Sequence, residues 1–342
     1  MKRLVFLGAM NRDLVAHIPA AAMLSKLQLA APPLLETPVS DAVAEQGASL
    51  FIALGAADHL GGSAFNAARI VALLDAETRR LALSFLGLAG RVGQAAPHLD
   101  ALRDWGIAAD GVQHSALPPA TCLAMVESAG RTLLTASGAN AGIATWLSER
   151  GDDLARRIAD ADLIHVTSYL DPAAPGLIAA ILAEARRRNP HLRVSLDPGA
   201  AWVLPGGAGF EQLLAQADIL HLNQEELAHL CGSADPATLG GRLHPRYWLI
   251  VARTHCGATL YEDRGNAPSA IRKLPDTPLP AAIVDATGAG DTFCGGFLWH
   301  LLANGADPLD AARLGFTLAR VKVGKEGPLT AEDISSGTAV VV

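Results

Sequence analysis

Short apolar runs alternate with longer amphipathic segments along most of the chain. The apolar runs, each bounded by glycine or polar residues, cover residues 4–8, 81–87, 163–167, 192–196, 219–222 and 248–252. The segments with apolar residues three or four positions apart cover 63–74, 98–105, 174–188, 225–230, 289–303 and 307–322. Continuous apolar strands between amphipathic helices are typical of a parallel sheet with helices on both faces. The pattern therefore predicts an α/β fold, a three-layer α/β/α Rossmann-like domain with a mainly parallel sheet.

Two regions interrupt this alternation, from about residue 12 to 60 and from about 112 to 135. The first is rich in proline and polar residues and contains a predicted helix over 41–54. In the second, two β-like runs flank Ser128-Ala129-Gly130, a sequence typical of a hairpin turn. We interpret both regions as a small lid inserted into one domain that spans residues 1–342. Two ordinary surface loops are the alternative.

The composition supports a large buried core and argues against a membrane protein. Half of the residues are hydrophobic and 18% are charged. No apolar stretch reaches about 18 residues without a charge or a helix breaker, so no transmembrane helix is predicted. Lys2 and Arg3 precede an apolar run, as in a signal peptide, but the run ends at Asn11 and we interpret it as the first strand. The four cysteines form no CxxC pair, which indicates reduced thiols in a cytoplasmic protein without a structural metal site.

The charge distribution argues against binding to nucleic acid. The formal net charge is −7, and the longest basic run is Arg186-Arg187-Arg188, which falls on the polar face of a predicted helix. Proteins that bind nucleic-acid backbones usually carry a basic patch. We therefore expect a small-molecule substrate as the partner, with neither nucleic acid nor a membrane.

The most informative segment is DATGAGDTF, residues 285–293, which follows a strand-like run at 282–284 and opens a predicted helix. Its glycines permit a close approach of the backbone, so the amides of residues 288–290 can bind an anion at the helix N-terminus. Asp291, in the first turn, can accept a proton from a substrate hydroxyl. An anion hole beside a base is what phosphoryl transfer to an alcohol requires. A capped helix whose acid complements the helix dipole is the alternative.

Three further motifs accompany this segment along the chain. Their residues are Gly8, Asn11 and Asp13, then Gly61, Gly62 and Asn66, and finally Asn223 and Glu226. Together with residues 285–293, in this order, they make the chain resemble the ribokinase-like (PfkB) carbohydrate kinase family over nearly its whole length.

The resemblance implies a ribokinase-like fold and an ATP-dependent kinase. Mg²⁺ and ATP would bind along the carboxyl edge of the sheet, and the acceptor would bind beneath the lid. The residues implied to contact the acceptor are Asn11, Asp13, Gly61, Gly62 and Asn66. Those implied to act in transfer are Asp291 as base, the amides of Gly288, Ala289 and Gly290 as anion hole, and Asn223 and Glu226 in the magnesium and phosphate region.

Each shorter motif also has a structural interpretation. Asn11 and Asp13 can cap a turn. The two glycines before Ser63 can form a tight turn with that serine as helix N-cap. Glu226 can be a solvated acid in the first turn of a helix.

The resemblance also implies two features at the nucleotide end of the site. In many relatives, a monovalent-cation loop lies where this chain has Asp285, the carbonyl of Thr287 and the turn 321–327. Potassium dependence is therefore a hypothesis, and a plain structural turn is the alternative.

A second nucleotide-side loop, Arg253-Thr254-His255-Cys256-Gly257, departs from the family pattern. Relatives often have a glycine where Thr254 stands, and a threonine permits fewer backbone conformations beside the adenine and phosphates. Arg253 can contact a phosphate or be a solvated loop residue. Arg253, Thr254 and Gly257 complete the predicted ATP and magnesium region.

The sequence leaves the acceptor open. The segment around residues 59–63 is similar to adenosine-kinase-type members of the family, which favours a nucleoside. The candidate stacking aromatics, Phe51, Phe65 and Tyr169, are of a kind more often found in cores. A sugar or sugar-like molecule is therefore our first choice and a nucleoside the alternative. A sugar phosphate ranks third, because its basic contacts would come from Arg12, Lys26 and Arg131 alone.

Other classes of protein fit less well. The first turn lacks the GxGxxG of dinucleotide-binding oxidoreductases, and no GxxxxGK[ST] of P-loop kinases is present. A non-catalytic ligand sensor on a kinase fold is a further alternative. For the assembly, we expect a monomer or a homodimer paired through an exposed edge of the lid.

Overall fold

Fourteen strands and twelve α-helices make up the part of the chain that the computed structural model describes, residues 1–128, 130–263, 270–278 and 283–338. The strands are β1 (Lys2–Leu7), β2 (Asn11–Ala16), β3 (Glu36–Pro38), β4 (Ala57–Gly61), β5 (Leu81–Ala89), β6 (Ala108–His114), β7 (Ala120–Glu127), β8 (Gly130–Ala136), β9 (Leu163–Thr167), β10 (Arg193–Asp197), β11 (Ile219–Leu222), β12 (Trp248–Arg253), β13 (Ala258–Asp263) and β14 (Ala270–Lys273). The helices are α1 (Ala20–Lys26), α2 (Asp41–Ala53), α3 (Ser63–Asp75), α4 (Pro97–Asp104), α5 (Ile143–Ala159), α6 (Ala174–Arg188), α7 (Gly199–Val203), α8 (Ala208–Leu214), α9 (Gln224–Cys231), α10 (Ala289–Ala303), α11 (Pro308–Val323) and α12 (Ala331–Thr338).

Nine strands form the main sheet, in the order β14-β13-β12-β11-β10-β9-β1-β5-β6. All neighbours are parallel except β12 with β13 and β13 with β14. The alternation within β1 shows how both faces are covered. Leu4 and Phe6 pack into a cluster with α3, α10 and α11, whereas Val5 and Leu7 pack into a cluster with α5, α6 and α8. The predicted three-layer α/β/α fold with a mainly parallel sheet is confirmed, because strands buried on both faces give the continuous apolar runs of the sequence.

A second sheet has five strands in the order β3-β8-β7-β2-β4. One face packs against α1 and α2 around Leu14, Phe51, Leu123 and Leu134. The side chains that alternate with these in the strands point to the other face, toward the main sheet. The second sheet is therefore a half-buried layer with one face available to a ligand.

The boundaries of this second sheet differ from the predicted lid segments. Its strands come from residues 11–61 and 120–136. Residues 112–114, assigned to the lid from the sequence, belong to β6 and pair with β5 in the main sheet. The predicted hairpin links β7 to β8, with Glu127 opposite Gly130, although Ala129 lies outside the described residues.

Three further details differ from the sequence prediction. Arg186 does not lie on a polar helix face, since its side chain is only 10% exposed and pairs with the buried carboxylate of Asp218. The helix α5 was not predicted, because Arg150 and Gly151 interrupt its apolar stripe. Of the strand predicted over 282–284, Ala282 lies outside the described residues, and residues 283–284 are in neither helix nor strand.

The described helices include none that is long and apolar enough to cross a membrane. All four cysteines are free thiols.

Candidate active site

A cavity of about 660 Å³ lies between the two sheets, at the carboxyl edge of the main sheet. The parallel strands contribute Asp197 from the end of β10, Asn223 just after β11, and Arg253 from the end of β12. The five-stranded sheet contributes Asn11, Asp13, Val15, Glu36, Cys122, Ala124, Arg131 and Leu133. Crevices at this edge are the usual ligand sites of α/β folds.

The cavity brings together nearly all of the site residues predicted from the sequence. Those that line it are Asn11, Asp13, Gly62, Asn66, Asn223, Glu226, Arg253, Thr254, Gly257, Thr287, Gly288, Ala289, Gly290 and Asp291. Gly61 lies directly behind Asp13. Asp285 instead lines a smaller neighbouring cavity of about 40 Å³.

The loop before α10 turns sharply at Gly288, whose φ of 75° lies in the left-handed region that favours glycine. The amide of Ala289 donates to the carbonyl of Ala286 over 3.3 Å, and that of Thr292 donates to the carbonyl of Gly288 over 2.9 Å. The amides of a first helical turn otherwise lack intrahelical acceptors. The loop therefore presents a helix N-terminus to the cavity, an arrangement suited to an anion.

Asp291 lies in the first turn of α10 and is held by two side chains from α3. Nδ2 of Asn66 donates to Oδ2 of Asp291 over 2.9 Å, and Ser63 also hydrogen-bonds to this carboxylate. Burial raises the pKa of Asp291 to about 6, assisted by the nearby charge of Asp197 and opposed by the Asn66 hydrogen bond. A carboxylate with this pKa is ionised at neutral pH and is a better proton acceptor than an ordinary aspartate.

Asp13 faces the cavity from β2, on the opposite wall. Burial raises its pKa to about 7, assisted by the charge of Asp291 and opposed by that of Arg131. A Cβ atom at Gly61, which pairs with Asn11 on the adjacent strand, would lie 1.9 Å from Oδ2 of Asp13. The glycine is therefore required for the carboxylate to occupy this position.

Gly62 is the N-cap residue of α3, with a φ of 108°. A Cβ atom there would lie 2.0 Å from the carbonyl oxygen of Ala9. Ser63 is the first helical residue rather than the N-cap, and its side chain is directed to Asp291. The two glycines thus bring α3 against the end of the first strand, with Asn66 on the cavity side.

Asn223 and Glu226 form a reciprocal cap at the start of α9. Oδ1 of Asn223 accepts from the Glu226 amide over 2.8 Å, and Oε2 of Glu226 accepts from the Asn223 amide over 2.9 Å. Glu226 is buried rather than solvated. Burial raises its pKa to about 6, assisted by the charge of Asp197. Burial disfavours the ionised form of the Glu226 carboxyl group, and a cation close to it would stabilise that form.

The guanidinium of Arg253 is hydrogen-bonded within the protein and is not a solvated loop group. It donates to both carboxylate oxygens of Asp197, over 2.8 and 3.2 Å, and to the carbonyl of Gly290 over 3.2 Å. Thr254 closes the following turn, with its hydroxyl donating to the carbonyl of Gly257 over 3.2 Å. Arg253 therefore supports the Gly288–Asp291 loop from below, a contact that the sequence did not predict.

Asp285 and Thr287 are held by two cations that the sequence did not assign to this site. Nζ of Lys322 donates to Oδ2 of Asp285 over 2.9 Å, and Nη1 of Arg131 donates to Oγ1 of Thr287 over 2.7 Å. The Thr287 amide donates to Oδ1 of Asp285 over 2.8 Å. Burial acts to raise the pKa of Asp285, but the Lys322 and Thr287 contacts hold it below its usual range.

None of the candidate stacking aromatics lines the cavity. Phe51, Phe65 and Tyr169 are almost fully buried in hydrophobic clusters. The aromatic rings that do line it, Phe293 and Phe316, come from α10 and α11 rather than from the five-stranded sheet.

The basic residues considered for a sugar phosphate are mostly placed elsewhere. Arg12 pairs with Asp58 over 2.5 Å, and Lys26 is an exposed residue at the end of α1. Arg131 alone of these three residues lines the cavity.

The residues at the strand ends suit a magnesium nucleotide. Asp197, Asn223 and Glu226 offer the oxygen donors that Mg²⁺ prefers. Within the described residues, His, Cys, Asp and Glu form no cluster of three that could hold a metal ion by itself. This donor set therefore suits a Mg²⁺ ion that takes most of its ligands from phosphate and water.

Comparison with known proteins identifies similar sequences and folds. A family model described as pfkB family carbohydrate kinase matches residues 55–334. An ATP-dependent ribose-1-phosphate kinase from Halopiger xanaduensis is 31% identical over 278 residues, which cover 79% of this chain and 82% of that protein. Two solved structures have the same fold, each covering 100% of this chain and 99% of the other, with a TM-score of 0.77. They are a probable sugar kinase from Rhizobium etli, 21% identical, and the adenosine kinase from Sinorhizobium meliloti, 19% identical.

Proposed function

Because the chain belongs to the pfkB family of carbohydrate kinases, we propose that it transfers the γ-phosphate of ATP to a hydroxyl of a sugar or sugar-like small molecule. One observation supports this most strongly. A half-buried carboxylate, Asp291, lies in the same helical turn as the glycine loop and faces the same cavity. A base and an anion-binding backbone are thus side by side, which is what transfer to an alcohol requires.

Asp291 is the proposed base. The acceptor hydroxyl gives its proton to this carboxylate as its oxygen attacks the γ-phosphorus. The bond between the γ-phosphorus and the bridging oxygen of ADP breaks in the same step, and ADP leaves. The Asn66 hydrogen bond fixes the carboxylate and keeps its pKa from rising further. A positioned base of this kind contributes a factor of roughly 10²–10⁴ in rate.

The proposed anion hole is formed by the amides of Gly288, Ala289 and Gly290. The Ala289 amide would share its proton between the phosphoryl oxygen and the Ala286 carbonyl, to which it donates over 3.3 Å. Arg253 donates to the Gly290 carbonyl from beneath, so the loop is held before the phosphate arrives. Preorganised donors stabilise the transferring phosphoryl group without reorganising during the reaction.

Asn223 and Glu226 would hold the magnesium ion of ATP, in part through water. A Mg²⁺ ion held there would supply positive charge beside the phosphates. The raised pKa of Glu226 supports this role, since a nearby cation would stabilise its ionised form. The nucleotide itself would lie beside Thr254, Gly257 and the α11 residues Phe316 and Ala319.

The five-stranded sheet is the proposed lid over the acceptor. Asn11 and Asp13 of this sheet and Asn66 of α3 offer hydrogen bonds to hydroxyls. The remaining wall carries Glu36 and Arg131 beside small or aliphatic residues such as Ala124 and Leu133. A nucleoside base would gain most from an aromatic platform, and this wall has none among the described residues. This favours a sugar over a nucleoside.

Two other acceptors follow from the comparisons. The likeness in fold to an adenosine kinase keeps a nucleoside kinase as the second candidate. The relative from Halopiger acts on ribose-1-phosphate, and Arg131 is the cation of the lid wall that a sugar phosphate would use.

The experiment that tests the proposal is ATP consumption with a panel of sugars, sugar phosphates and nucleosides. We expect turnover with at least one sugar, and its loss in Asp291→Asn. Turnover with nucleosides alone would favour the second candidate. Tight binding of a ligand with no ATP consumption in any condition would instead favour a non-catalytic sensor.

A further inference from the structure

A lysine ammonium group is buried at the base of the glycine loop. Lys322 lies near the end of α11, with its side chain only 4% exposed. Its Nζ donates to the carbonyl of Asp285 over 3.0 Å, to Oδ2 of Asp285 over 2.9 Å, and to the carbonyl of Lys325 over 3.1 Å. An ammonium group has three protons to donate. All of them have an acceptor, and each acceptor is a carbonyl or carboxylate oxygen.

These acceptors are the ones expected of a small monovalent cation. The family resemblance implies such an ion at Asp285, the Thr287 carbonyl and the turn 321–327. The Asp285 carboxylate and the Lys325 carbonyl of that turn are instead engaged by Nζ of Lys322. A potassium ion in contact with the same oxygens would lie against a buried like charge with little solvent to screen it. The residues present therefore do not fit a bound potassium ion.

The small cavity beside Lys322 does not alter this conclusion. It measures about 40 Å³ and is lined by Asp13, Asn66, Asp285, Thr287 and Lys322, among others. That volume is enough for roughly two or three water molecules. Its charged lining already contains a cation, so water is the occupant that the site favours.

The ammonium group is connected to the proposed anion hole through consecutive contacts. Asp285 accepts from Lys322 with one carboxylate oxygen and from the Thr287 amide with the other. The next residue, Gly288, makes the left-handed turn into α10. Fixing Asp285 thus fixes the start of the turn that presents the amides.

We propose that Lys322 is a built-in monovalent cation that holds the Asp285–Gly288 loop in its binding geometry, so that the protein needs no potassium. Lys322 is a positioning residue, because it acts through Asp285 and does not touch the substrate. The catalytic part of this proposal rests on the proposed function, whereas the structural part does not.

The test compares potassium, sodium and N-methylglucamine chlorides at equal ionic strength, with thermal stability and kinase activity as separate measurements. Wild-type protein is expected to have the same Tm and the same kcat in all three salts. In Lys322→Ala, the Asp285 carboxylate loses its buried partner, and in N-methylglucamine we expect the Tm to fall by roughly 5–10 °C. Its kcat should fall at least about tenfold with little change in the acceptor KM, since the loop is held only loosely.

Rescue distinguishes a cation site from a plain structural ion pair. The alanine leaves space where Nζ lay, so potassium, ammonium or methylammonium should raise both the Tm and the kcat of Lys322→Ala. The matched control is Lys273→Ala, which removes an exposed lysine at the end of β14 that pairs with Asp276. This control should show no fall in Tm of that size and no response to the cation.

A potassium-specific rise in the Tm or the kcat of the wild type would overturn the proposal. So would a Lys322→Ala variant that is weakened but unaffected by any small cation. Should the alanine variant fail to fold, Lys322→Met keeps the volume and removes the charge. A methionine variant with wild-type Tm and kcat would equally overturn it, and a destabilised one would support it. If no acceptor is turned over, the Tm measurements still decide the structural part.

Discussion

Asn66 donates a hydrogen bond from Nδ2 to Oδ2 of Asp291 over 2.9 Å, joining two residues that are 225 positions apart in the sequence. Asn66 belongs to the glycine motif that begins α3, and Asp291 to the glycine motif that begins α10. The two helices pack closely because α10 carries Gly295, where a Cβ atom would lie 2.6 Å from Cβ of Ile70. The acceptor-side motif and the proposed base therefore form one unit.

Removing this hydrogen bond should move the pH dependence of activity. A carboxylate base works only when deprotonated, and burial places the pKa of Asp291 at about 6 with the Asn66 bond opposing the rise. Wild-type kcat should therefore fall as the pH drops through about 6. In Asn66→Ala the pKa rises further, so the same fall should occur at higher pH. The measurement is kcat against pH.

The control for this shift is Asn304→Ala, at the other end of α10, where the side chain contacts His300. We expect its pH profile to match that of the wild type. An Asn66→Ala profile with an unmoved acid limb would argue against Asp291 as the group that titrates.

Asp13 should destabilise the protein at neutral pH. Its pKa is raised from the ordinary value to about 7, chiefly by burial, so the folded state favours the protonated form. The penalty is absent below the unfolded pKa of about 4, grows as the pH rises, and is complete above about 7. Asp13→Asn should therefore gain stability relative to wild type as the pH rises from 4 to 7, reaching a few kcal/mol at about 1.4 kcal/mol per pKa unit.

Asp58→Asn provides a contrast of opposite sign. The hydrogen bond from Arg12 holds the pKa of Asp58 below its ordinary value, so that this carboxylate stabilises the fold above pH ~4 and loses its effect in acid. Urea unfolding of both variants across this pH range measures the effect. A stability gain in Asp13→Asn that is independent of pH would refute the raised pKa of Asp13.

Asp13→Asn should also raise the acceptor KM at least about tenfold, since the variant loses a hydrogen bond to a charged group.

Arg253→Lys should weaken the loop without removing the charge. A lysine cannot reproduce the paired hydrogen bonds to Asp197 together with the contact to the Gly290 carbonyl. We expect kcat to fall about tenfold or more because the loop is less well ordered. The Tm should fall as well, since the buried Asp197 is less well paired.

Arg242→Lys, at an exposed pair with Glu211, is the matched control. Exposed pairs of this kind contribute at most about 1 kcal/mol. Equal kcat values for Arg253→Lys and the control would show that Arg253 does not order the loop.

The sequence predicted the fold well where the hydrophobic pattern of a strand or a helix was regular. The bounds of α6, α10, β9 and β11 agree with the predicted ranges, because each is a continuous apolar strand or a helix with regular spacing. The family resemblance was confirmed by the match over residues 55–334. The short edge strands β3 and β14 were not predicted, since three or four partly exposed residues give no clear alternation.

The supporting residues of the site were harder to predict than the motifs. Lys322 and Arg131 contact the 285–291 segment from distant parts of the chain, and Asp197 is joined to it through Arg253. No local spacing relates these residues to the segment. The turn 321–327 was assigned to a cation loop, but nothing in the sequence showed that Lys322 points into it. Tertiary packing alone decides whether such a lysine is solvated or buried.

The most direct test of the central claim is the Asp291→Asn variant, measured for both ATP binding and turnover on a verified acceptor. The substitution keeps the shape of the side chain and removes its ability to accept a proton. We expect ATP affinity to stay within about threefold of wild type while kcat falls at least ~10²-fold. Asp310→Asn, an exposed acid on α11 paired with Arg313, should change neither quantity. Near-normal turnover by Asp291→Asn would contradict the role of Asp291 as the base.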